Sequence, residues 1–234
     1  MIKTRPVKRG KSAAKKPARW HRHPEARREE ILDGALTVFT EKGFSAARIN
    51  DIAGRASISS GTIYLYFASK EEIFKSLVEE SIGPQVSQLV QVTREFEGSS
   101  DDLLRIAVRT ISAFLRSSNR GVLSRLIIAE TGKFPELARF YRSQVTDRMI
   151  AVFEEIIRRG IACGEFRSID PADGARMVIA LLMFTTIWRT SLGALDSKPY
   201  DYERYIETNL DLVLRGLATG KKHVPGIKDN LRGQ

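Results

Sequence analysis

The chain has 234 residues, of which 42% are hydrophobic and 28% charged, a composition typical of a globular protein with a buried core. A single cysteine, Cys163, excludes an internal disulfide framework, and the longest apolar run, residues 177–188, is too short to cross a bilayer. The net charge of +10 is confined to one end, because residues 1–28 hold eleven Lys and Arg against Glu25 alone. Nothing near the start resembles a signal peptide, so we expect a cytoplasmic protein with a basic arm.

This basic arm spans residues 1–23, which are rich in Lys, Arg and Pro and poor in large apolar groups. Such a segment buries too little surface to offset the entropy lost on ordering, so we expect it to be disordered in isolation. Two interpretations stay open: the arm follows DNA phosphates or a minor groove, or it is a solubilising tail. Residues 220–234 are also polar and are predicted to form a flexible tail.

A first helix is predicted to begin at Pro24, because proline fits the first helical position and acidic residues follow it. An apolar stripe at helical spacing runs from Ile31 to Phe39. Gly43 is expected to end this helix in the left-handed conformation that glycine adopts at low cost. The stripe predicts that the helix packs across the next two helices and holds them rigid.

Two short helical patterns meet at a tight turn between residues 49 and 67. The first buries Ile52 and the second Ile63, and a serine at 59 or 60 can cap the second helix. Ser57 stands in the turn, where the chain needs a left-handed or bridge conformation. This pattern is typical of a helix-turn-helix, whose second helix enters the DNA major groove. A helical hairpin with a merely solvated polar face is the alternative.

The outward face of the second helix carries hydroxyl, phenol and ammonium groups. Thr62 and Tyr64 can reach base edges and thymine methyl groups, and Gly61 lets the backbone approach the phosphate chain. The groups suited to phosphate oxygens are Ser59, Ser60, Tyr66 and Lys70.

The segment from Glu41 to Phe74 resembles the DNA-binding domain of the TetR family of transcriptional regulators. The resemblance rests on Gly43-Phe44, Ile52-Ala53, the turn, Ile63-Tyr64-Leu65-Tyr66-Phe67 and Ser69-Lys70-Glu71-Glu72. It covers residues 25–80 closely and continues only as a pattern of long helices. The resemblance implies that Ser59, Ser60, Thr62, Tyr64, Tyr66 and Lys70 contact DNA. Arg48 or Asn50 is expected to replace the Ser or Thr that usually opens the first of the two helices.

The rest of the chain reads as long amphipathic helices. Ser69 and Glu72 form a capping box for a helix that Gly83-Pro84 interrupts, and any signal from the second half is expected to pass along it. Further helices are predicted from a cap at Asp101, over 120–131 and 134–160, from Asp170-Pro171 to 192, and over 200–217. We therefore predict an all-α protein of about nine helices, with a three-helix DNA-binding domain at 24–70 and a helical ligand-binding and dimerisation domain at 71–219.

Residues 177–188 are apolar on nearly all sides, so this helix either meets a second subunit or is fully buried in a monomer. We favour a homodimer through the helices near 171–192 and 200–217, which the family also uses. The resemblance implies a pocket for an unknown small-molecule effector. Candidate lining residues are Arg109, Phe114, Glu130, Phe140, Gln144, Phe153, Phe184 and Trp188.

No catalytic constellation is found in the sequence. The three histidines lie in the predicted flexible ends and Cys163 has no nearby histidine, so we expect neither an enzyme nor a metal or cofactor site. The favoured function is a ligand-responsive transcriptional repressor that binds a palindromic DNA operator as a homodimer. An effector-independent DNA-binding or adaptor protein is the alternative, and an enzyme that uses a helical cavity is a third class.

Overall fold

The computed structural model describes residues 24–117, 123, 126, 130, 132–197 and 200–219. Within these residues the fold is all-α, as predicted, and the only β-type pairing is an isolated bridge between Phe166 and Ala218. The predicted arm, the predicted tail and most of the predicted helix at 120–131 lie outside the described residues.

The first six helices run from the described start of the chain to its middle. They are α1 (Pro24–Ala46), α2 (Ile49–Arg55), α3 (Ser60–Tyr64), α4 (Lys70–Ser81), α5 (Gly83–Glu95) and α6 (Ser100–Ser117). Leu123, Leu126 and Glu130 are also helical. The interruption predicted at Gly83-Pro84 is confirmed, because α4 ends at Ser81 and Pro84 lies in the first turn of α5.

The remaining helices are α7 (Pro135–Tyr141), α8 (Asp147–Ala162), α9 (Pro171–Ile187) and α10 (Tyr202–Leu217). A π-helical turn, Arg142–Thr146, joins α7 to α8, and another, Trp188–Leu192, follows α9. α9 packs most extensively along α8. Gly174 permits this approach, because a Cβ there would come within 2.8 Å of Ile157 and Ile169.

Side-chain caps start several helices where the sequence predicts them. The Ser59 and Ser69 hydroxyls accept the N–H groups of Thr62 and Glu72, and Asp170 accepts those of Ala172 and Asp173.

The predicted cap at Asp101 is wrong. The Ser99 hydroxyl accepts the Asp102 N–H at 3.0 Å, while the Glu165 carboxylate accepts the N–H groups of Ser100 and Asp101. The acid that completes the start of α6 is thus 65 residues away along the chain from Ser100, so local sequence gives no sign of it.

Backbone geometry bears out the positive φ expected at two positions near the DNA-binding helices. Ser57 has φ 56°, which is the left-handed one of the two conformations predicted for the turn. Gly43 has φ 75° but ψ 163°, which is an extended region open essentially to glycine rather than the left-handed cap predicted. The chain therefore kinks at Gly43, and one more helical turn follows up to Ala46.

The described residues contain no helix with the length and apolar character needed to cross a membrane. Over the same ranges, no three His, Cys, Asp or Glu side chains are grouped so that they could hold a metal ion.

Candidate functional site

α2 and α3 form the predicted helix-turn-helix and rest on α1 through a small apolar core. Ile52 and Ile63 are fully buried and Phe67 is 1% exposed. Burial of one apolar face of each helix fixes their rotation, since any other rotation would expose these side chains to water. The opposite face of α3 is therefore directed to solvent.

Hydroxyl groups tie the two helices together at the turn. The Ser60 hydroxyl donates to the Asn50 side-chain oxygen at 2.7 Å, which links the start of α3 to α2. The Ser59 and Thr62 hydroxyls lie 2.9 Å apart, and Ser59 also accepts the Thr62 N–H. These side chains, predicted to contact DNA, thus fix the α3 start in the free protein.

The start of α2 lacks the usual Ser or Thr cap, and the substitution predicted for Arg48 takes another form. The Arg48 side chain makes no cap hydrogen bond; instead its N–H donates to the Asp51 carboxylate at 3.1 Å. Lys42 donates to the other Asp51 oxygen at 2.8 Å. The Lys42 hydrogen bond, with the Arg48 N–H second, lowers the pKa of Asp51. The side chains of Arg48 and Asn50 remain exposed.

Two large side chains stand out from the tip of α3. Tyr64 is 57% exposed, as expected for a DNA contact, and Leu65 is 82% exposed. Tyr66 is half-buried against the core. A Cβ on exposed Gly61 would meet only the Ser59 hydroxyl at 3.7 Å, so the fold itself does not require glycine there. Leu65 was missed in the sequence because an apolar side chain in an amphipathic helix normally indicates core.

The ammonium group of Lys70 is occupied within the protein. It donates to the carbonyl oxygens of Phe44, Ser45 and Ala47 at 2.9, 3.2 and 3.2 Å, and lies 4.7 Å from the Phe44 ring centre. Three donors on three carbonyls use the whole hydrogen-bonding capacity of a lysine. This geometry assigns Lys70 to closing the end of α1, whereas the sequence predicts a phosphate contact.

Arg28 connects α1 to α4 by hydrogen bonds. Its guanidinium donates to Glu80 at 2.6 and 2.9 Å and to Ser76 at 2.9 Å, and it lies 4.6 Å from the Phe67 ring centre. Arg28 thereby connects α1 to α4 and to Phe67, the buried residue that follows α3.

A second connection joins the DNA-binding helices to the rest of the chain. The Phe134 ring contacts the Phe44 ring edge-on at 4.9 Å, and the Glu130 carboxylate accepts the Ser45 N–H at 3.3 Å. The other Glu130 oxygen is buried without a hydrogen bond and lies 3.7 Å from the Lys133 ammonium. The expectation that every signal passes along α4 is therefore incomplete, because this junction is a non-covalent route.

The second half of the protein contains a cavity of about 680 Å³ between α5, α6, α7, α8 and α9. Its wall is mainly apolar, with Leu89, Ile111, Met149 and Ile179 among the lining residues. The π-helical turn Arg142–Thr146 forms part of the wall, and π-helical turns often occur at functional sites. The volume is that of a site for a small organic ligand.

A smaller cavity of about 320 Å³ lies between α6, α9 and α10, and its lining combines apolar side chains with three arginines and two glutamates. Arg109 makes a double hydrogen bond to Glu207, both at 2.7 Å, which lowers the pKa of Glu207. Arg116 pairs with Glu203, and burial raises the pKa of Tyr202. Leu115 and Leu182 line both cavities, so the two spaces adjoin.

The predicted effector-binding residues are not brought together. Phe114 lines the larger cavity and Arg109 the smaller one. Phe153 is fully buried in the core, and Glu130 lies at the domain junction. The other candidates that line neither cavity are Phe140 and Gln144, which are half-buried, and Phe184 and Trp188, which stack at 5.6 Å. Sequence periodicity shows which side of a helix is buried, but not whether that side meets a neighbour or a cavity.

A helix-turn-helix with an exposed tip, joined to helices around an apolar cavity, defines a DNA-binding protein with an internal ligand site. Two family models agree. The one described as bacterial regulatory proteins of the tetR family matches residues 31–77, and the AefR-like transcriptional repressor C-terminal domain matches residues 102–216.

Individual proteins give the same result. The chain is 31% identical over 200 residues to the HTH-type transcriptional repressor KstR2 of Rhodococcus jostii, covering 82% of this chain and 92% of the relative. It is 25% identical over 194 residues to the fatty acid metabolism regulator protein of Bacillus subtilis, covering 80% and 94%. The crystal structure of FadR from Bacillus subtilis in complex with stearoyl-CoA is similar with a TM-score of 0.68 at 24% identity, covering 81% and 98%.

The chain therefore belongs to the TetR family and is a ligand-responsive, DNA-binding transcriptional regulator. The resemblance seen in residues 41–74 is confirmed. These relatives are named as regulators rather than as enzymes, in keeping with the absence of a catalytic constellation from the sequence.

Proposed function

We propose that the protein represses transcription from a palindromic DNA operator as a homodimer, and leaves it when a long-chain acyl effector fills the larger cavity. The observation that carries this proposal is one chain that has both an exposed α3 tip and an apolar cavity of about 680 Å³. The protein acts in the cytoplasm and needs no cofactor other than the effector.

On DNA, α3 enters the major groove with Tyr64 and Leu65 foremost. These side chains, 57% and 82% exposed, are the ones that the fold leaves free for base contacts. Leu65 suits a thymine methyl group, and Tyr64 a base edge or phosphate. Arg48 and Asn50 lie exposed at the start of α2, where they reach the phosphate backbone.

The homodimer forms through α9 and α10, which keep apolar side chains in water in the single chain. Met177 and Phe184 are 63% and 46% exposed and stand seven residues apart, so they share one face of α9. Leu212, on the neighbouring α10, is 63% exposed. An isologous contact buries these faces in both copies and sets two α3 helices about 34–36 Å apart, one turn of B-DNA.

The effector is an acyl compound because the cavity wall is apolar, because one relative is a fatty acid metabolism regulator, and because the similar structure of FadR holds stearoyl-CoA. Each methylene group that leaves water contributes about 0.8 kcal/mol, so a long chain has ample driving force. α7 supplies cavity wall at Pro135, beside the Phe134 contact with Phe44. An occupied cavity thus favours a second arrangement of the junction, in which the two α3 helices no longer match the operator.

The test is selection of bound fragments from random double-stranded DNA with the full chain, followed by competition with hexadecanoyl-CoA. We expect a two-fold symmetric motif whose half-sites are one helical turn apart, and loss of binding as the thioester is added. DNA and effector should oppose each other by the same factor in either order of addition. An asymmetric motif would contradict the dimeric geometry, and binding that survives every acyl compound would favour the effector-independent alternative.

A further inference from the structure

We propose that the smaller cavity between α6, α9 and α10 is an oxyanion site, and that it holds the charged group of the effector whose acyl chain occupies the larger cavity. The inference rests on the proposed effector function and adds to it the chemical class of the ligand: an acyl chain that carries a carboxylate or phosphate.

Charge in the smaller cavity is unbalanced. Arg109, Arg116 and Arg189 face Glu203 and Glu207, which leaves one positive charge. The two glutamates are taken by Arg109 and Arg116. Within the described ranges, Arg189 pairs with no carboxylate and donates to the Leu115 carbonyl only. A guanidinium has five N–H donors, so Arg189 retains the fork that binds carboxylate or phosphate in two places.

A second donor in the same cavity lacks an acceptor. The Ser112 hydroxyl is buried and has no hydrogen-bond partner among the residues that the structure describes, although Ser112 lines the cavity. A buried hydroxyl without a partner is costly, and an anionic oxygen beside it would accept its hydrogen bond. Surplus positive charge favours an anion over a cation, and the unused hydroxyl can donate a hydrogen bond to that anion.

The two cavities are placed for one amphipathic molecule. Leu115 and Leu182 line both, so the apolar space adjoins the cavity that contains the arginine side chains. Leu115 also provides the carbonyl that receives the Arg189 hydrogen bond. Leu115, between the two cavities, is thus hydrogen-bonded to Arg189, which binds the oxyanion. The acyl chain passes between Leu115 and Leu182.

The experiment compares hexadecanoate with 1-hexadecanol by calorimetric titration of the full chain. The two compounds have the same number of carbon atoms and differ in charge. We expect hexadecanoate to bind about tenfold to 100-fold more tightly, as one charge-assisted hydrogen-bond pair would give. Arg189→Gln should bring the two affinities together. Arg158→Gln is the matched control, because Arg158 is exposed, pairs with Glu154 and Glu155 on the same helix and lines neither cavity.

Hexadecanoyl-CoA identifies the source of the oxyanion. If Arg189→Gln weakens the binding of hexadecanoyl-CoA, the site binds the phosphates of coenzyme A. If the affinity for hexadecanoyl-CoA is unchanged and hexadecanoate binds more weakly, the site binds a carboxylate. Equal binding of acid and alcohol to the wild-type chain would overturn the inference, as would preference for the acid that persists in Arg189→Gln. Operator release by acid and alcohol alike would leave the proposed function standing while this inference fails.

Discussion

Replacing Lys70 with glutamine separates a structural role from a DNA contact at the start of α4. In the free protein its ammonium donates to the Phe44 and Ser45 carbonyl groups in the last turn of α1 and to the Ala47 carbonyl just beyond it. Glutamine is shorter and uncharged, so it cannot reach all three. We expect Lys70→Gln to loosen the end of α1 rather than to remove a phosphate contact.

The size of the effect follows from these contacts. A hydrogen bond to a charged group contributes about 1.5–3 kcal/mol, and three bonds that share one ammonium are not additive. We expect the free energy of unfolding to fall by about 2–3 kcal/mol, which lowers the Tm of a chain of this size by roughly 5–10 °C. Loss of one phosphate contact would instead reduce the slope of log affinity against log salt concentration by about 0.9, or by about 1.8 for a dimer that loses the contact in both subunits.

Thermal unfolding and DNA binding at several salt concentrations measure the two quantities independently. Lys75→Gln is the control on the same helix, because the Lys75 ammonium lies 5.6 Å from the Phe140 ring centre and donates to no carbonyl of the described residues. The expected result for Lys70→Gln is a lower Tm with an unchanged salt slope. A slope reduced by about 1.8 at an unchanged Tm would refute the reasoning and restore Lys70 as a phosphate contact.

Four further substitutions test other parts of the structure. Ser57→Gly removes the left-handed cost of about 1 kcal/mol but adds unfolded-state entropy, so a net gain of roughly 0.5 kcal/mol should appear in thermal unfolding; a loss would contradict it. Leu65→Ala removes an 82% exposed side chain, so stability should not change while operator affinity falls roughly 30-fold, about 1 kcal/mol per half-site; unaltered affinity would exclude a base contact. The pKa of Asp51 is lowered from 3.8 in the folded protein, so the ionised carboxylate stabilises the fold above that pH, and this stabilisation is lost as the pH falls through the folded pKa. Asp51→Asn should therefore have a lower free energy of unfolding than the wild type at pH 6, and the difference should vanish in acid. A difference that stays constant with pH would contradict this. Leu212→Glu places charge on the proposed subunit contact, so sedimentation equilibrium should show monomers, and an intact dimer would move the contact elsewhere.

Local signals predicted the DNA-binding half well. Ser59 and Ser69 cap helices because a hydroxyl at the helix start satisfies N–H groups a few residues away, a relation that neighbouring sequence contains. Ser57 was predictable for the same reason, since the turn needs a positive φ whatever else the chain does. Lys70 was not, because the carbonyls it meets are at least 23 residues away.

The ligand cavity could not be derived from the sequence, because a cavity results from where helices fail to touch. Phe153 and Phe184 are both phenylalanines in long helices with apolar neighbours, yet one is fully buried in the core and the other 46% exposed. Leu65 shows the opposite error, because an apolar residue next to a short amphipathic helix is expected in the core, whereas Leu65 is exposed to solvent. Helical periodicity reports the side of a helix that avoids water, not the distance to the next helix.

The Phe134 and Glu130 contacts with Phe44 and Ser45 limit how the DNA-binding domain can move. A body tethered at one point can swing in any direction, but a body tethered at two can only rotate about the line that joins them. α4 is the first tether and this junction is the second. If the wall near Pro135 rearranges as proposed, the two tethers would restrict the response to a single hinge rotation, which would carry α3 along one arc, towards or away from the second α3 of the proposed dimer.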